Sequence, residues 1–363
     1  LLICLNVAPP RRRIVAGMDY GFRYRHGVHA TATAFVDPAA VEAWDAWFRW
    51  RDGNELRDVT IDATWSRVTR ALCAIADGAT ARDEQRIGDA IGNWRLVVDA
   101  RVLAGAGTPG FAWPRHDLVA ALNLARFVSL PFTPKAAFQR EAFDDAVDLA
   151  LRALDDMCRA ADTARCAPRL TVIGLADALA MLGADYASAQ GRACAATIAR
   201  QLAQASLDAS MRLARERGAS DASRFDAAAL VRAECLRLPA ATIDAMRRDG
   251  LRFPAVTAIV RQPRLALVAN NVADAIDPLA GERRTYTIAG AHGERRVVAS
   301  GFALTLWRQL GARPADAPPF ACDADVGARE RLLMRSALQP WLDHPIDAAH
   351  FRPASAALPP AAP

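Results

Sequence analysis

No uninterrupted apolar run in this chain approaches the roughly 18–20 residues needed to span a bilayer, because Asp or Arg breaks each alanine-rich stretch, and a membrane protein is not expected. There is no C-x-x-C pair either. The seven cysteines, Cys4, Cys73, Cys158, Cys166, Cys194, Cys235 and Cys322, are odd in number and widely spaced, which argues against a disulfide scaffold, a zinc site or a redox dithiol. A reducing, cytoplasmic setting is the default expectation. Lysine is nearly missing: of the 45 Lys and Arg residues all but Lys135 are arginine. With abundant alanine, that skew reads as a GC-rich coding sequence. The arginines give a formal charge of +5, yet they are scattered, and Arg11-Arg12-Arg13 is the only tight triplet, so nucleic acid is not an expected partner. Leu1 to Leu5 is too short for a secretory core, and the arginines follow it instead of preceding it, so no signal peptide is expected.

What remains is 363 residues with 52% hydrophobic and 23% charged side chains, the composition of a globular protein able to bury a substantial core. Asp37-Pro38 predicts a helix start, with aspartate as cap and proline in the first turn, and a helix to Trp50 whose face carries Trp44, Trp47 and Trp50. Helices are expected over Ile61–Ala76 and Arg82–Val97, closed by Gly105-Ala106-Gly107-Thr108. The turn formers from Thr108 to Pro114 mark a domain junction. Beyond it, helices are expected from Thr133-Pro134 to about Asp162, from Gly174 to Leu182, and from Ser188 to Arg217. Strands are expected at Ala255–Val260, at Leu265–Val268, and in a hairpin of Thr285–Ile288 with Arg296–Val298; helices return at Phe302–Leu310 and Ala328–Leu342. The expected class is mainly α with a few β-strands. The expected division is an extended or poorly ordered lead over 1–36, a helical domain over 37–108, a mostly helical domain over 115–345, and an Ala/Pro-rich tail over 346–363.

Constellations that carry chemistry are scarce. His26 and His29 lack carboxylate or cysteine neighbours and read as a surface pair, so no metal is expected. No G-x-S-x-G elbow is present, and Cys158 and Cys166 read as buried thiols. Gly105-x-Gly107-Thr108 is a weak phosphate-approach signal, since glycine lets backbone N–H groups come close to an anion and threonine adds a hydroxyl. The adjacent pairs Asp144-Asp145 and Asp155-Asp156 point in different directions on a helix and define no acid and base.

Several stretches, in order along the chain, resemble the large catalytic subunit of ribonucleotide reductases, most of all the adenosylcobalamin-dependent class. Asp58-Val59-Thr60-Ile61-Asp62-Ala63-Thr64-Trp65 is similar to the family's first helical domain, and Arg101 to Thr108 to the approach to its substrate site. Asn123-Leu124-Ala125-Arg126-Phe127-Val128 is similar to the segment just after its catalytic loop. Ile173-Gly174-Leu175-Ala176-Asp177-Ala178-Leu179 is the most specific stretch. Asn271 to Pro278 resembles N-V-S-S-G-I-E-P, and Met334 to Asp343 resembles M-Q-A-A-L-Q-x-x-x-D. The resemblance runs from about Asp37 to about Asp347.

It implies a remnant of a ten-stranded α/β barrel behind an N-terminal helical domain. It also implies a family reaction in which a thiyl radical on the cysteine of an N-x-C-x-E loop reduces a ribonucleotide. That loop is absent from this sequence, as are the paired redox cysteines, so turnover is not expected. The family's phosphate loop P-T-G-T-I-S is matched by Pro254-Ala255-Val256-Thr257-Ala258-Ile259, where Val256 replaces a glycine and weakens the expectation of phosphate binding. Candidate site residues are thus Pro254, Ala255, Val256, Thr257 and Ala258, with Gly105, Gly107 and Thr108 as the approach. Adenosylcobalamin is implied as cofactor by the resemblance alone. The implied partners are a ribonucleotide and an intact reductase subunit or a second copy of the chain. The alternative to a reductase-like protein without turnover is a non-catalytic nucleotide-binding or interaction protein that pairs with an intact subunit.

Overall fold

In a computed structural model of the chain, which describes residues 37–76, 78–161, 167–220, 227–290, 293–313 and 316–347, Asp37 does cap the first helix: its carboxylate accepts from Ala39 N at 2.7 Å. The lead over 1–36, with Cys4, the arginine triplet, His26 and His29, lies outside the described residues, as do Cys166 and the tail beyond residue 347. Helix α1 (Pro38–Trp47) stops three residues before Trp50. The Asp52-Gly53 turn, with Gly53 at φ +57°, instead folds the chain back as two-residue strands β1 (Arg51–Asp52) and β2 (Glu55–Leu56). Trp44 is buried and donates to Thr64 Oγ1 at 3.0 Å, Trp47 reaches the Ala289 carbonyl at 2.8 Å, and Trp50 is off the helix.

Helices α2 (Ile61–Ile75) and α3 (Ala81–Gly92) start where hydroxyl caps predict them, at Thr60 and Thr80, and Thr80 forms a reciprocal box with Asp83. The third expected helix is shorter than the sequence suggests. Trp94 takes φ +58°, which no helix tolerates, and the apolar run after it is a buried strand, β3 (Leu96–Val98). Helix α4 (Ala100–Gly105) then leads into the glycine turn.

The centre of the fold is a parallel pair that sequence patterning does not separate from helix. Strand β4 (Val119–Asn123) is buried at every position, so it lacks the alternation that marks a half-exposed strand. The short hairpin β5 (Val128–Ser129) and β6 (Ala137–Phe138) comes next, and it delays helix α5 to Arg140–Ala160 rather than Thr133. Strand β7 (Arg169–Ile173) returns parallel to β4, pairing Ala120 with Leu170 and Leu122 with Val172. With β3 antiparallel on the far side of β4, the sheet order is β3-β4-β7. This βαβ crossover is the expected way to join parallel neighbours. Leu170 also bridges Thr257 in parallel, so the 256–258 backbone lies along the open edge of β7. Among the described residues the sheet does not close into a barrel.

Gly174, at φ +71°, turns the chain from β7 into α6 (Leu175–Met181), and Ser188 caps the long α7 (Ala189–Arg217), which stops at Gly218 as predicted. Helices α8 (Ala227–Cys235) and α9 (Ala240–Asp249) come next. Two expected strands are corrected here. Residues 255–260 make only the single bridge at Thr257, and Leu265–Val268 belongs to α10 (Pro263–Val268), where Pro263 supplies a helical first turn. A four-residue apolar run has no periodicity that could tell the two apart.

The predicted hairpin is present and longer than expected, β8 (Arg284–Gly290) with β9 (Gly293–Ala299), pairing Tyr286 with Val297 and Ile288 with Arg295. Its tip at 291–292 lies outside the described residues. Tyr286 and Ile288 pack with Ala39 and Ala43 of α1. Helix α11 (Phe302–Gln309) is next, and α12 (Ala328–Leu338) runs into a single 3-10 turn over Gln339–Trp341. The class is mainly α with a few strands, and one apolar cluster joins Trp44 near the start to Ile346 near the end.

Candidate functional site

The Pro254–Ala258 loop lies on the edge of β7. Leu170 N donates to the Val256 carbonyl at 2.8 Å and Ala258 N donates to the Leu170 carbonyl at 3.0 Å, so the sheet fixes the loop's register. The Thr171 hydroxyl extends the hold to the next turn, accepting from Val260 N at 3.0 Å. Val256 takes no left-handed backbone, and its side chain is buried in the main core. A β-branched residue is therefore unstrained where the resemblance leads one to expect glycine. The N–H groups of Val256 and Thr257 both point at Asp343 Oδ2, each at 2.8 Å, and the Thr257 hydroxyl donates to the same oxygen at 2.9 Å.

Asp343 is ion-paired with Arg232 of α8, which also donates to the Pro254 carbonyl at 3.1 Å. His344 N donates to the Thr257 carbonyl, and the imidazole is hydrogen-bonded to the Ala255 backbone. Burial first, and then the charges of Arg169 and Arg232, hold the His344 pKa below its ordinary value, so it is neutral at pH 7. Asp343 is the residue that sequence reasoning misses: the stretch Met334 to Asp343 resembles a family helix, but nothing in it signals contact with a loop some 86 positions earlier.

Gly105, Gly107 and Thr108 sit at the end of α4, and no hydrogen bond joins them to the 254–258 loop among the described residues. Their surroundings explain the residue types by packing. A Cβ on Gly107, at φ +81°, would stand 2.8 Å from Arg67 Cγ, and one on Gly105 would stand 2.5 Å from the Phe111 ring. Arg67 is buried, paired with Asp58 at 2.8 Å, and donates to the Ala106, Phe48 and Leu103 carbonyls. The Thr108 hydroxyl is turned inward to the Gly105 carbonyl at 2.7 Å.

A second arrangement lies between α6 and the segment 271–277. Asp177 is fully buried and accepts from Ala273 N at 2.7 Å and from Ala303 N at 2.9 Å, tying α6 to that segment and to the start of α11. Burial pushes its pKa up to about 6 against those two hydrogen bonds. Asp277 is raised further, to about 7, by burial and by nearby Asp274, although Arg261 pairs with both at 2.7 and 3.1 Å. Both aspartates stand in family-like stretches, yet the sequence assigns neither of them a role.

Among the described residues no free thiol lies on the parallel strands. The free cysteines among the described residues are Cys73 on α2, Cys194 on α7, Cys235 at the end of α8 and Cys322, and none is on β4, β7 or the 254–258 loop. Burial and the charges of Glu84, Asp83 and Asp156 raise the Cys73 pKa, and burial raises that of Cys322, so both stay thiols at neutral pH. Cys158 is disulfide-bonded, which corrects the reading of it as a free buried thiol; sequence does not show which sulfurs come within bonding reach. A cavity of about 510 Å³ beside Cys73 is lined by Arg86, Arg152, Arg217, Arg252 and Asp156. Several of these charges are already paired, Arg152 with Glu216 at 2.6 Å and Arg217 with Asp156 at 2.7 Å.

Residues 118–280 match the family model of ribonucleotide reductase, barrel domain. The match opens one residue before β4 and covers β7, α6, α7 and the 254–258 loop, so the parallel wall of the fold is the part that is similar to that domain. No curated protein matches the chain.

Proposed function

We propose that the chain is a ribonucleotide-reductase-like protein that does not itself reduce ribonucleotides and acts by association, with an intact reductase subunit or a second copy of itself. The observation that carries this reading is a retained barrel wall without a thiol on it. The N-x-C-x-E sequence does not occur in the chain, and among the described residues no free cysteine lies on the parallel strands or the loop beside them. The family's radical step removes a ribose hydrogen with a cysteine sulfur, and no alanine or leucine side chain can take that part.

Adenosylcobalamin, which the resemblance implies, does not fit the residues present. When bound it would serve to raise a thiyl radical, and among the described residues the parallel strands and the loop beside them carry no free thiol to receive one. A nucleotide-holding role is the weaker alternative, because the loop amides that would meet a phosphate are held by Asp343. Association is supported by the upkeep of the scaffold. The caps at Asp37, Thr60, Thr80, Asp99 and Ser188 are all formed, whereas a chain without a role accumulates local conflicts.

Two assays test the reading. The purified chain, given each ribonucleotide with adenosylcobalamin and a dithiol reductant, is expected to form no deoxynucleotide above the blank. Product that disappears on replacing Cys73, Cys194, Cys235 or Cys322 by alanine would overturn the proposal. Sedimentation with and without an intact reductase subunit is expected to show a complex or a dimer, and a monomer in both runs contradicts the association.

A further inference from the structure

Every second residue of a strand in an antiparallel pair turns its N–H and C=O away from the partner strand, so a two-stranded hairpin leaves backbone groups along each edge. Strand β9 pairs with β8 over Gly293–Ala299, and among the described residues no other hydrogen bond reaches its backbone. The β8 strand, by contrast, is engaged by α1, whose Trp47 indole donates to the Ala289 carbonyl at 2.8 Å. Residues 293–296 and Val298 are exposed to solvent. An open, exposed edge seven residues long is a template for another strand.

The side chains say which strand. Alternation puts Tyr286, Ile288, Val297 and Ala299 on the face that packs with α1, and Arg295 joins them there by pairing with Glu42 of α1 at 2.6 Å. Glu294 and Arg296 stand on the opposite face, both exposed, and among the described residues neither forms an ion pair within the chain. Charges on an edge strand commonly keep other strands off, which takes one sign repeated along the edge. Here the sign changes between two residues of one face, so the pattern repels in one register and attracts in another.

We propose that β9 is the docking edge for a second copy of this chain, whose own β9 adds antiparallel to it about a two-fold axis at Arg295, giving a four-stranded sheet in the order β8-β9-β9-β8. In that register Glu294 of each copy lies opposite Arg296 of the other, so one two-fold contact makes two ion pairs from charges that are idle in the single chain. The two Arg295 side chains meet on the α1 side, each neutralised by the Glu42 of its own copy. Centring the pair on Arg296 instead sets two unpaired arginines face to face, so charge selects the register. The inference rests on the association reading above; it names the surface and takes the second copy as the partner.

The test is sedimentation equilibrium of the full chain over a wide range of concentration, with hydrogen exchange read at residues 293–297. The wild type is expected to pass from monomer to dimer, and exchange in that stretch to slow as the dimer fills. Arg296→Glu sets Glu294 of one copy against a glutamate of the other and is expected to weaken the dimer by about tenfold or more, as is Glu294→Arg by the reverse charge. The double exchange Glu294→Arg with Arg296→Glu restores both pairs and is expected to restore the dimer, which separates a specific register from a general effect of charge. Both side chains are exposed and unpaired, so each variant is expected to melt as the wild-type monomer does; Arg296→Gln, which removes the attraction without adding repulsion, decides the matter if a reversed charge does not fold. A dimer indifferent to the single exchanges, or one that the double exchange does not restore, overturns the proposal. A chain that stays monomeric alone yet sediments with an intact reductase subunit also overturns it, and leaves the association reading standing.

Discussion

Ala275 occupies the place where the resembling family has glycine, and it adopts φ +49° while fully buried. Left-handed backbone costs an L-residue roughly 1–2 kcal/mol. Glycine would relieve that, but it adds about 0.5–1 kcal/mol of chain entropy and forfeits about 0.8 kcal/mol for the buried methyl. The terms nearly cancel, so Ala275→Gly is expected to change the unfolding free energy by less than about 1 kcal/mol, while Ala275→Val, β-branched and left-handed, loses about 2 kcal/mol or more. Urea denaturation of the two variants checks the contrast. Gly107 has no such compensation: a Cβ there meets Arg67 Cγ at 2.8 Å and Arg67 O at 3.1 Å. Gly107→Ala is therefore expected to cost on the order of 2 kcal/mol in the same experiment. The glycine is visible in the sequence as a weak anion signal; that its neighbour is a buried arginine is not.

At the scale of elements, α5 and α7 are joined by ions in a way that their sequences only half disclose. Arg217, in the last turn of α7, holds Asp155 and Asp156 of α5 at 2.7 Å each, and Arg252 adds a bond to Asp155 at 2.6 Å. The adjacent aspartates give no functional signal in the sequence, yet both are buried. Removing one partner of a buried pair leaves a charge without compensation, so Arg217→Ala is expected to destabilise by about 3 kcal/mol, with part recovered by Asp156→Asn. A double-mutant cycle on thermal unfolding measures the coupling. The same scale explains the missed strands. A parallel strand covered on both faces reads as an apolar run, and Val119–Asn123 carries no period-two signal to set it apart from helix. Helices with a hydroxyl or carboxylate cap and a glycine stop, such as Ser188 to Gly218, are legible to the residue because capping is local chemistry.

For the whole molecule, buried carboxyls set the response to pH. Asp177 at about 6 and Asp277 at about 7 both lie above the ordinary 3.8, so between pH 4 and 7 the folded state keeps protons that the unfolded chain has released. Their contribution to stability is complete below about pH 4 and fades as pH rises through 6 and then 7. For Asp177 alone the span corresponds to about 3 kcal/mol. Melting midpoints recorded from pH 5 to 8 are expected to fall with rising pH, and Asp177→Asn, less stable throughout because its amide faces two N–H donors, is expected to show a shallower fall. A midpoint that rises over that range would contradict the assignment.

The predominance of helix, most caps and glycine stops, the existence of the β8–β9 hairpin and the likeness of the middle of the chain to a reductase barrel domain are all legible in the residues. These depend on neighbours within a few residues, or on a pattern carried along the chain. That Leu96–Val98, Val119–Asn123 and Arg169–Ile173 form one sheet, and that Leu265–Val268 is helix, follows from packing and not from local pattern. Packing also placed Asp343 on the amides of a loop 86 residues away. The reason is physical: short apolar runs are degenerate between strand and helix until packing chooses a partner. A backbone N–H, moreover, carries no residue code, so nothing in the letters Val256 and Thr257 says which oxygen their amides will meet.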